Sequence, residues 1–201
     1  MRFSLFILLF IITGCKQTDK SAFANKKQEA VIFIQPFEKF DEKLLDDLQQ
    51  RLSQSLNADI KILPNKDFPQ GSYYLPGNRY WADSIIHYLQ KQSGEKKYYL
   101  GVTAKDISTK KNKIVNWGVM GLGYHPGNAC VISTFRLGEK NNVSERLYKV
   151  AVHELGHNAG LPHCKENGCY MMDAEGKMKL DDEQFFCTKC RQFLINKSFL
   201  K

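Results

Sequence analysis

One run, His153-Glu154-Leu155-Gly156-His157-Asn158-Ala159-Gly160-Leu161-Pro162-His163, constrains this chain more than any other stretch. If residues 144–158 are helical, His153 and His157 stand one turn apart on the same face. Two imidazoles so placed can hold one Zn²⁺, with Glu154 beside them as a general base. Leu147, Val150, Ala151 and Leu155 supply apolar positions at helical spacing, which supports the helix. Gly160 follows, where a glycine can take the left-handed conformation that ends a helix. The chain can then double back and bring His163 to the same ion. Three protein ligands leave a fourth position for water, the arrangement of a catalytic rather than a structural zinc. The competing explanation is a core or solvated helix that carries histidines incidentally. Three of the chain's five histidines falling into this register argues against it.

At 201 residues the chain allows one good-sized domain with a core of its own. Residues 1–14 are not counted in it. Arg2 gives a basic start, residues 5–12 an unbroken apolar run, and Ile12-Thr13-Gly14-Cys15 a small-residue cleavage site. A membrane-spanning helix needs about 20 apolar residues, so this run reads as a secretory signal peptide. Its ending resembles the lipobox of bacterial lipoproteins, in which Cys15 is lipidated and becomes the mature N-terminus. The expected location is the cell envelope, with the lipid as membrane anchor on a periplasmic or surface-facing leaflet. Residues 15–30 read as a polar tether, and residues 31–201 as the folded domain. Losing residues 1–14 removes Arg2 and no acid, so the net charge goes from +8 to +7. The lysines lie in short scattered clusters without interleaved aromatics, which points to a solvated surface and away from nucleic acid.

Within the domain, Val31-Ile32-Phe33-Ile34 is a short buried strand ended by Pro36. Residues 41–56 carry a leucine stripe at helical spacing, and Asp59-Ile60-Lys61-Ile62-Leu63 alternates as a second strand. This β-α-β opening predicts a mostly parallel sheet. The pattern Trp81, Ile85, Tyr88, Leu89 predicts a helix over 80–92, with His87 on its surface, and residues 98–103 form a third strand. Residues 116–124 place three glycines between larger side chains, the mark of a strand that another backbone approaches closely. His125-Pro126-Gly127-Asn128 turns the chain, and residues 129–135 return as a further strand. An edge strand beside a metal helix can pair with a peptide by β-addition. His125 reads as a turn residue at the border of that cleft, and Cys130 as a buried small hydrophobe.

Four cysteines follow the histidine run: Cys164, Cys169, Cys187 and Cys190, paired by short loops. Four thiolates at such spacing suit a closed tetrahedral zinc site. In an oxidising compartment the same four could form two disulfides.

The histidine run, Cys164, Cys169-Tyr170-Met171 and Cys187-Thr188-Lys189-Cys190 together resemble the archaemetzincins, a family of metzincin-type zinc metallopeptidases. The resemblance is loose from about Val31 and tight from Tyr148 to Cys190; the Met171–Cys187 spacing is shorter than the family's usual one. It implies that His153, His157 and His163 hold a catalytic zinc and that Glu154 does the acid/base work. It also implies that Met171 is a packing floor beneath the metal, and that Cys164, Cys169, Cys187 and Cys190 hold a structural zinc. That makes two zinc ions per chain and a peptide or protein substrate. The implied fold is α/β: a mostly parallel twisted sheet with one antiparallel edge strand, a zinc-binding helix packed under it, and a small cysteine-rich C-terminal part. Two other functions stand beside this one: an aminopeptidase restricted to short peptides, and a non-enzymatic surface lipoprotein whose zincs are structural.

Overall fold

The computed structural model describes residues 30–138, 142–173 and 179–201. The expected leader, Cys15 and the tether up to residue 29 lie outside the described residues. Among the described residues no helix is long and apolar enough to cross a membrane.

The chain opens as its hydrophobic pattern predicts, with strand β1 (Ala30–Pro36), helix α1 (Glu42–Ser55) and strand β2 (Ala58–Ile62). Asp41 caps α1, its side chain accepting from the Leu44 N–H at 3.0 Å, and Leu45, Leu48 and Leu52 form the buried stripe. A cap of this kind is worth about 1 kcal/mol, and each fully buried leucine about 1.5–3 kcal/mol. Strand β3 (Tyr73–Tyr74), strand β4 (Arg79–Trp81) and helix α2 (Ala82–Gln90) follow. After them come strands β5 (Lys97–Thr103), β6 (Ile107–Lys111), β7 (Ile114–Val119), β8 (Gly121–Gly123) and β9 (Ala129–Ser133). Helices α3 (Val143–Ala159) and α4 (Thr188–Asn196) complete the chain.

The main sheet has the order β2-β1-β5-β9-β8, parallel throughout except for β8, which runs antiparallel along the edge of β9. Side chains alternate between its faces. Ile32, Leu100, Cys130 and Ile132 meet α1 and α3 on one side, while Ala129 and Val131 meet α2 on the other. Every residue of β9 is buried, as expected of a strand covered on both faces. Helix α3 is buried around most of its girth and packs against β8 and β9, which sets the zinc motif beneath the sheet edge.

Two parts of the sequence pattern resolve differently. Tyr80 and Trp81 belong to β4, and the helix begins only at Ala82. Ring contacts decide this, because Tyr80 stacks on Phe68 with centroids 3.8 Å apart and Trp81 tilts against Tyr74 at 4.8 Å. Residues 116–124 are two strands divided at Met120. Strand β8 stays on the main sheet, whereas β7 hairpins with β6 in a second sheet of order β3-β4-β6-β7. That sheet is tied to the end of β9 by Asp106, which accepts from Arg79 Nε at 2.7 Å and from Arg136 Nε and Nη2 at 2.8 Å each. The cysteine-rich C-terminal part ends in a regular element. Helix α4 drives Leu194, and the residues after it drive Phe199 and Leu200, into the core beneath α1.

The glycines of β8 mark a close approach, and what approaches is α3. A β-carbon on Gly123 would lie 2.8 Å from the backbone oxygen of Glu154, and one on Gly121 2.6 Å from its Oε1. Gly123→Ala is therefore expected to destabilise the protein by about 1–3 kcal/mol in urea denaturation. Gly94→Ala, where an added β-carbon meets nothing within 4 Å, is expected to cost less than about 0.5 kcal/mol.

Candidate functional site

Helix α3 ends where the sequence says it should. Gly160 takes the left-handed conformation at φ 104°, and its N–H closes on the Gly156 and His157 carbonyls. Leu161 N–H then donates back to Gly156 O at 2.9 Å, and the reversed chain delivers His163 to the face that carries His153 and His157. One ring nitrogen from each of the three histidines lies within 4.8 Å of the others.

The backbone fixes the ring tautomers. His153 Nδ1 sits 2.6 Å from Tyr170 O, and His157 Nδ1 sits 2.7 Å from Leu161 O. A carbonyl only accepts, so both protons are on Nδ1 and both Nε2 lone pairs are bare. Those two Nε2 atoms face each other at 3.1 Å, where lone pairs repel unless a cation lies between them. Tetrahedral Zn–N bonds of 2.0–2.1 Å would set ligand nitrogens about 3.3 Å apart, so the donor set fits zinc. Burial, and for His153 the neighbouring His157, holds both rings' pKa values down at about 4. The imidazoles are thus neutral at physiological pH, as metal ligands must be.

Glu154 points from α3 toward β8 and is buried. Burial pushes its pKa up to about 8, against the opposing hydrogen bond from Gly123 N–H. Its neighbours are the glycine strand, Val150 and the histidine cluster, and it forms no ion pair among the described residues. Met171 is fully buried beneath α3, its sulfur 2.5 Å from the place a β-carbon on Gly156 would occupy. The methionine and the glycine therefore require each other, and the ring-bearing turn of α3 rests on that sulfur.

The four cysteine sulfurs gather beside this site, all within 4.8 Å of one another, with Cys164 and Cys187 at 3.8 Å. A disulfide would hold two sulfurs about 2.05 Å apart, and all four thiols are free. Zn–S bonds of 2.3 Å in a tetrahedron would place the sulfurs about 3.8 Å apart, so this donor set also fits zinc. Two sulfurs accept backbone N–H groups, Cys164 from Glu166 and Cys169 from Cys187, each at 3.4 Å. His163 and Cys164 are neighbours in the chain, so one peptide bond links the two donor clusters.

Between α3, β8 and the second sheet runs a cleft of about 820 Å³. Its floor holds His153, Glu154, His157 and His163, and its wall is the outer side of Gly121, Leu122 and Gly123. His125 lines it too, its ring 5.8 Å from that of His157, whereas His87 is exposed on α2 and Cys130 is buried in the sheet. Several contributors were not legible in the sequence. Asn158 donates to Tyr124 O at 2.9 Å and Ala129 O at 3.0 Å, pinning the end of α3 to the His125 turn. The Asp173 carboxylate lies 3.7 Å from His163 Nδ1, and Glu183 lines the cleft. Single polar residues like these carry no spacing signal.

Residues 27–196 match the model of peptidase family M54. The chain is similar to the archaemetzincin of Archaeoglobus fulgidus, 33% identical over 162 residues, which span 79% of this chain and 95% of the relative. It is similar to that of Haloquadratum walsbyi, 30% identical over 150 residues, 68% of this chain and 83% of the relative. Among solved structures it resembles the A. fulgidus archaemetzincin complexed with malonate, with TM-score 0.68 and 30% identity, covering 81% of this chain and 98% of that one. The Methanopyrus kandleri archaemetzincin has the same fold, with TM-score 0.70 at 24% identity over 84% of this chain and 95% of that one.

Removing the Asn158 side chain takes from Tyr124 O its side-chain donor and from the buried Ala129 O one of its two donors, the other being Tyr124 N–H at 3.5 Å. Asn158→Ala is expected to cost about 1–3 kcal/mol in chemical denaturation of the metal-loaded protein, against no more than about 0.5 kcal/mol for alanine at an exposed helix position such as Gln90.

Proposed function

The chain belongs to peptidase family M54 and is a zinc metallopeptidase, and from that premise we propose that Glu154 is the general base of peptide-bond hydrolysis. His153, His157 and His163 would hold the catalytic zinc, and Cys164, Cys169, Cys187 and Cys190 a second, structural one. The observation that carries the reading is the pair of bare Nε2 atoms at 3.1 Å directly beside a buried carboxyl in an open cleft. When bound there, zinc supplies Lewis acidity, bringing the pKa of water to about 7 and polarising a carbonyl.

The chain's own groups do the rest. Glu154 accepts a proton from the attacking water and returns it to the leaving amine, so one carboxylate serves both halves of the reaction. Gly123 N–H holds that carboxylate in place. The open edge of β8 offers backbone groups to which an extended peptide adds as a further antiparallel strand, and this lays the scissile bond across the histidines. Met171 keeps the helix turn from sinking away from the cleft. A binding module would have no use for an unligated carboxyl at this point; in a peptidase it is the essential group.

Export and lipid attachment through Cys15 belong to the same proposal, supported by the leader pattern alone. Cys15→Ser is expected to abolish labelling with a tagged fatty acid and to release the protein from the membrane fraction.

For the site, metal analysis of the full chain is expected to find two zinc ions, with four thiols that react only after chelation. His153→Ala is expected to lose one ion and leave the cysteine-held one. Glu154→Gln is expected to keep both and to lower kcat on a cleaved peptide by about 10²–10⁴-fold. A Glu154→Gln protein as active as wild type would overturn the mechanism. One zinc with two disulfides would overturn the second metal and leave the first.

A further inference from the structure

The cleft contains a second buried carboxyl, which hydrolysis at Glu154 does not use. Glu183 lies between the Met171 turn and α4, is only 2% exposed, and lines the cleft. Its Oε2 is sealed from solvent and has no hydrogen-bond partner among the described residues. The charges that act on it are Lys149 on α3, Lys179 and Asp182. Neither lysine is paired with it: Lys149 Nζ holds Glu145 at 2.7 Å and Leu180 O at 2.9 Å, and Lys179 Nζ reaches Asp173 O at 3.2 Å. Lys110, Lys111 and Arg136 line the same cleft but are not among the charges that act on Glu183. Burial lifts the pKa of Glu183 to about 7, so without a partner its charged form is held at a cost.

Buried polar atoms are nearly always satisfied, and one that is not calls for a ligand or another specific reason. The cleft that Glu183 lines also carries apolar surface, from Met120 and the buried Val150 and Leu180. These walls begin at the reacting centre, since a β-carbon on Gly121 would touch both Val150 and Glu154 at 2.6–2.8 Å. A side chain that occupies this cleft from a residue flanking the scissile bond has both hydrocarbon and a carboxylate among its walls. Lysine and arginine suit such walls, with an apolar stem ending in a cation.

Building on the peptidase reading above, we propose that Glu183 is the specificity-determining carboxylate of a pocket that takes a basic side chain, Lys or Arg, from a residue next to the cleaved bond. Its role is recognition: ionised against the incoming cation it gains the partner it lacks, and an uncharged side chain of the same length leaves it unpaired.

The test uses the full zinc-loaded chain carrying Glu154→Gln, so that peptides bind without turnover. Calorimetry compares octapeptides with blocked termini in which one lysine is moved through successive positions, each matched by norleucine, which keeps the stem and removes the charge. Lysine at one position is expected to bind at least tenfold tighter than norleucine, and adding Glu183→Gln is expected to erase that ratio while leaving the norleucine peptides unchanged. Equal binding of the two series, or a lysine preference that survives Glu183→Gln, overturns the proposal. So does a gain seen only when the N-terminus is left free, which would assign the cation to the α-amine.

Glutamine keeps the shape of Glu183 and removes a charge the fold does not pair. The unfolded chain gives up this proton near pH 4.5 and the folded one only near 7, so Glu183 lowers stability as pH rises through that window. The variant is thus expected to melt at or above wild type at pH 8 and level with it at pH 4. Glu183→Met, with a similar stem, repeats the comparison independently. The two readings fail separately. Peptides cleaved without regard to lysine would remove the role of Glu183 and keep the peptidase; lysine-selective binding with no cleavage by the wild-type enzyme would do the reverse.

Discussion

A helix carboxylate and two strand glycines share a space that admits no β-carbon, and the arrangement of the site depends on that approach. Were β8 built from ordinary strand residues, α3 would stand off the sheet edge and Glu154 would lose the Gly123 N–H that positions it. Close packing also sets the electrostatics. The same contact that excludes side chains excludes water, which is why Glu154 and the first two histidines are shifted in opposite directions, the acid upward and the bases downward. Both shifts disfavour charge in the absence of a cation. A divalent ion answers both at once, because neutral imidazoles can ligate it and its field favours the ionised carboxyl beside it.

The lower half of the site is built differently. The described residues between Leu161 and Cys187 have little regular structure, and isolated bridges such as Cys164–Met172 and Cys169–Phe185 stand in for a ladder. Order there comes from donor clusters and from its two ends. The Gly160 reversal anchors the start, and α4 anchors the finish by sending Leu194 into the core. The adjacency of His163 and Cys164 makes this economical, since fixing four sulfurs also fixes the third imidazole, which has no helix of its own to hold it. Met171, at the middle of the segment, converts that order into support for α3 from below.

How much of this could be read from the sequence follows from which signals are local. The zinc helix, its glycine stop and the third histidine are encoded within one short run, and the structure brings their nitrogens together as the spacing implies. The parallel opening was legible because β1, α1 and β2 each carry a clean period. The second sheet was not: β6 turns polar after Ile107, β7 is half-exposed, and the sheet's tie to the end of β9 runs through Asp106 to Arg79 and Arg136, residues distant in sequence. For the same reason the strand reading of 116–124 missed its break at Met120. The β-start at Tyr80 and Trp81 was lost to a helical period that ring stacking with Phe68 and Tyr74 overrides. Glycines at 121 and 123 announced a close approach without saying to what.

The cleft thereby holds two buried glutamates of identical chemistry, and their surroundings separate them. Glu154 lies among ring nitrogens, against a strand, with one backbone donor aimed at it; a proton it takes up has somewhere to go, because the reacting groups are within reach. Glu183 lines the same cleft with no hydrogen-bond partner at its inner oxygen among the described residues, which is what the proposed basic side chain would supply. Two carboxyls with raised pKa values in one site divide their work by what faces them. In the proposed reaction one would face the bond to be broken, and the other the side chain beside it.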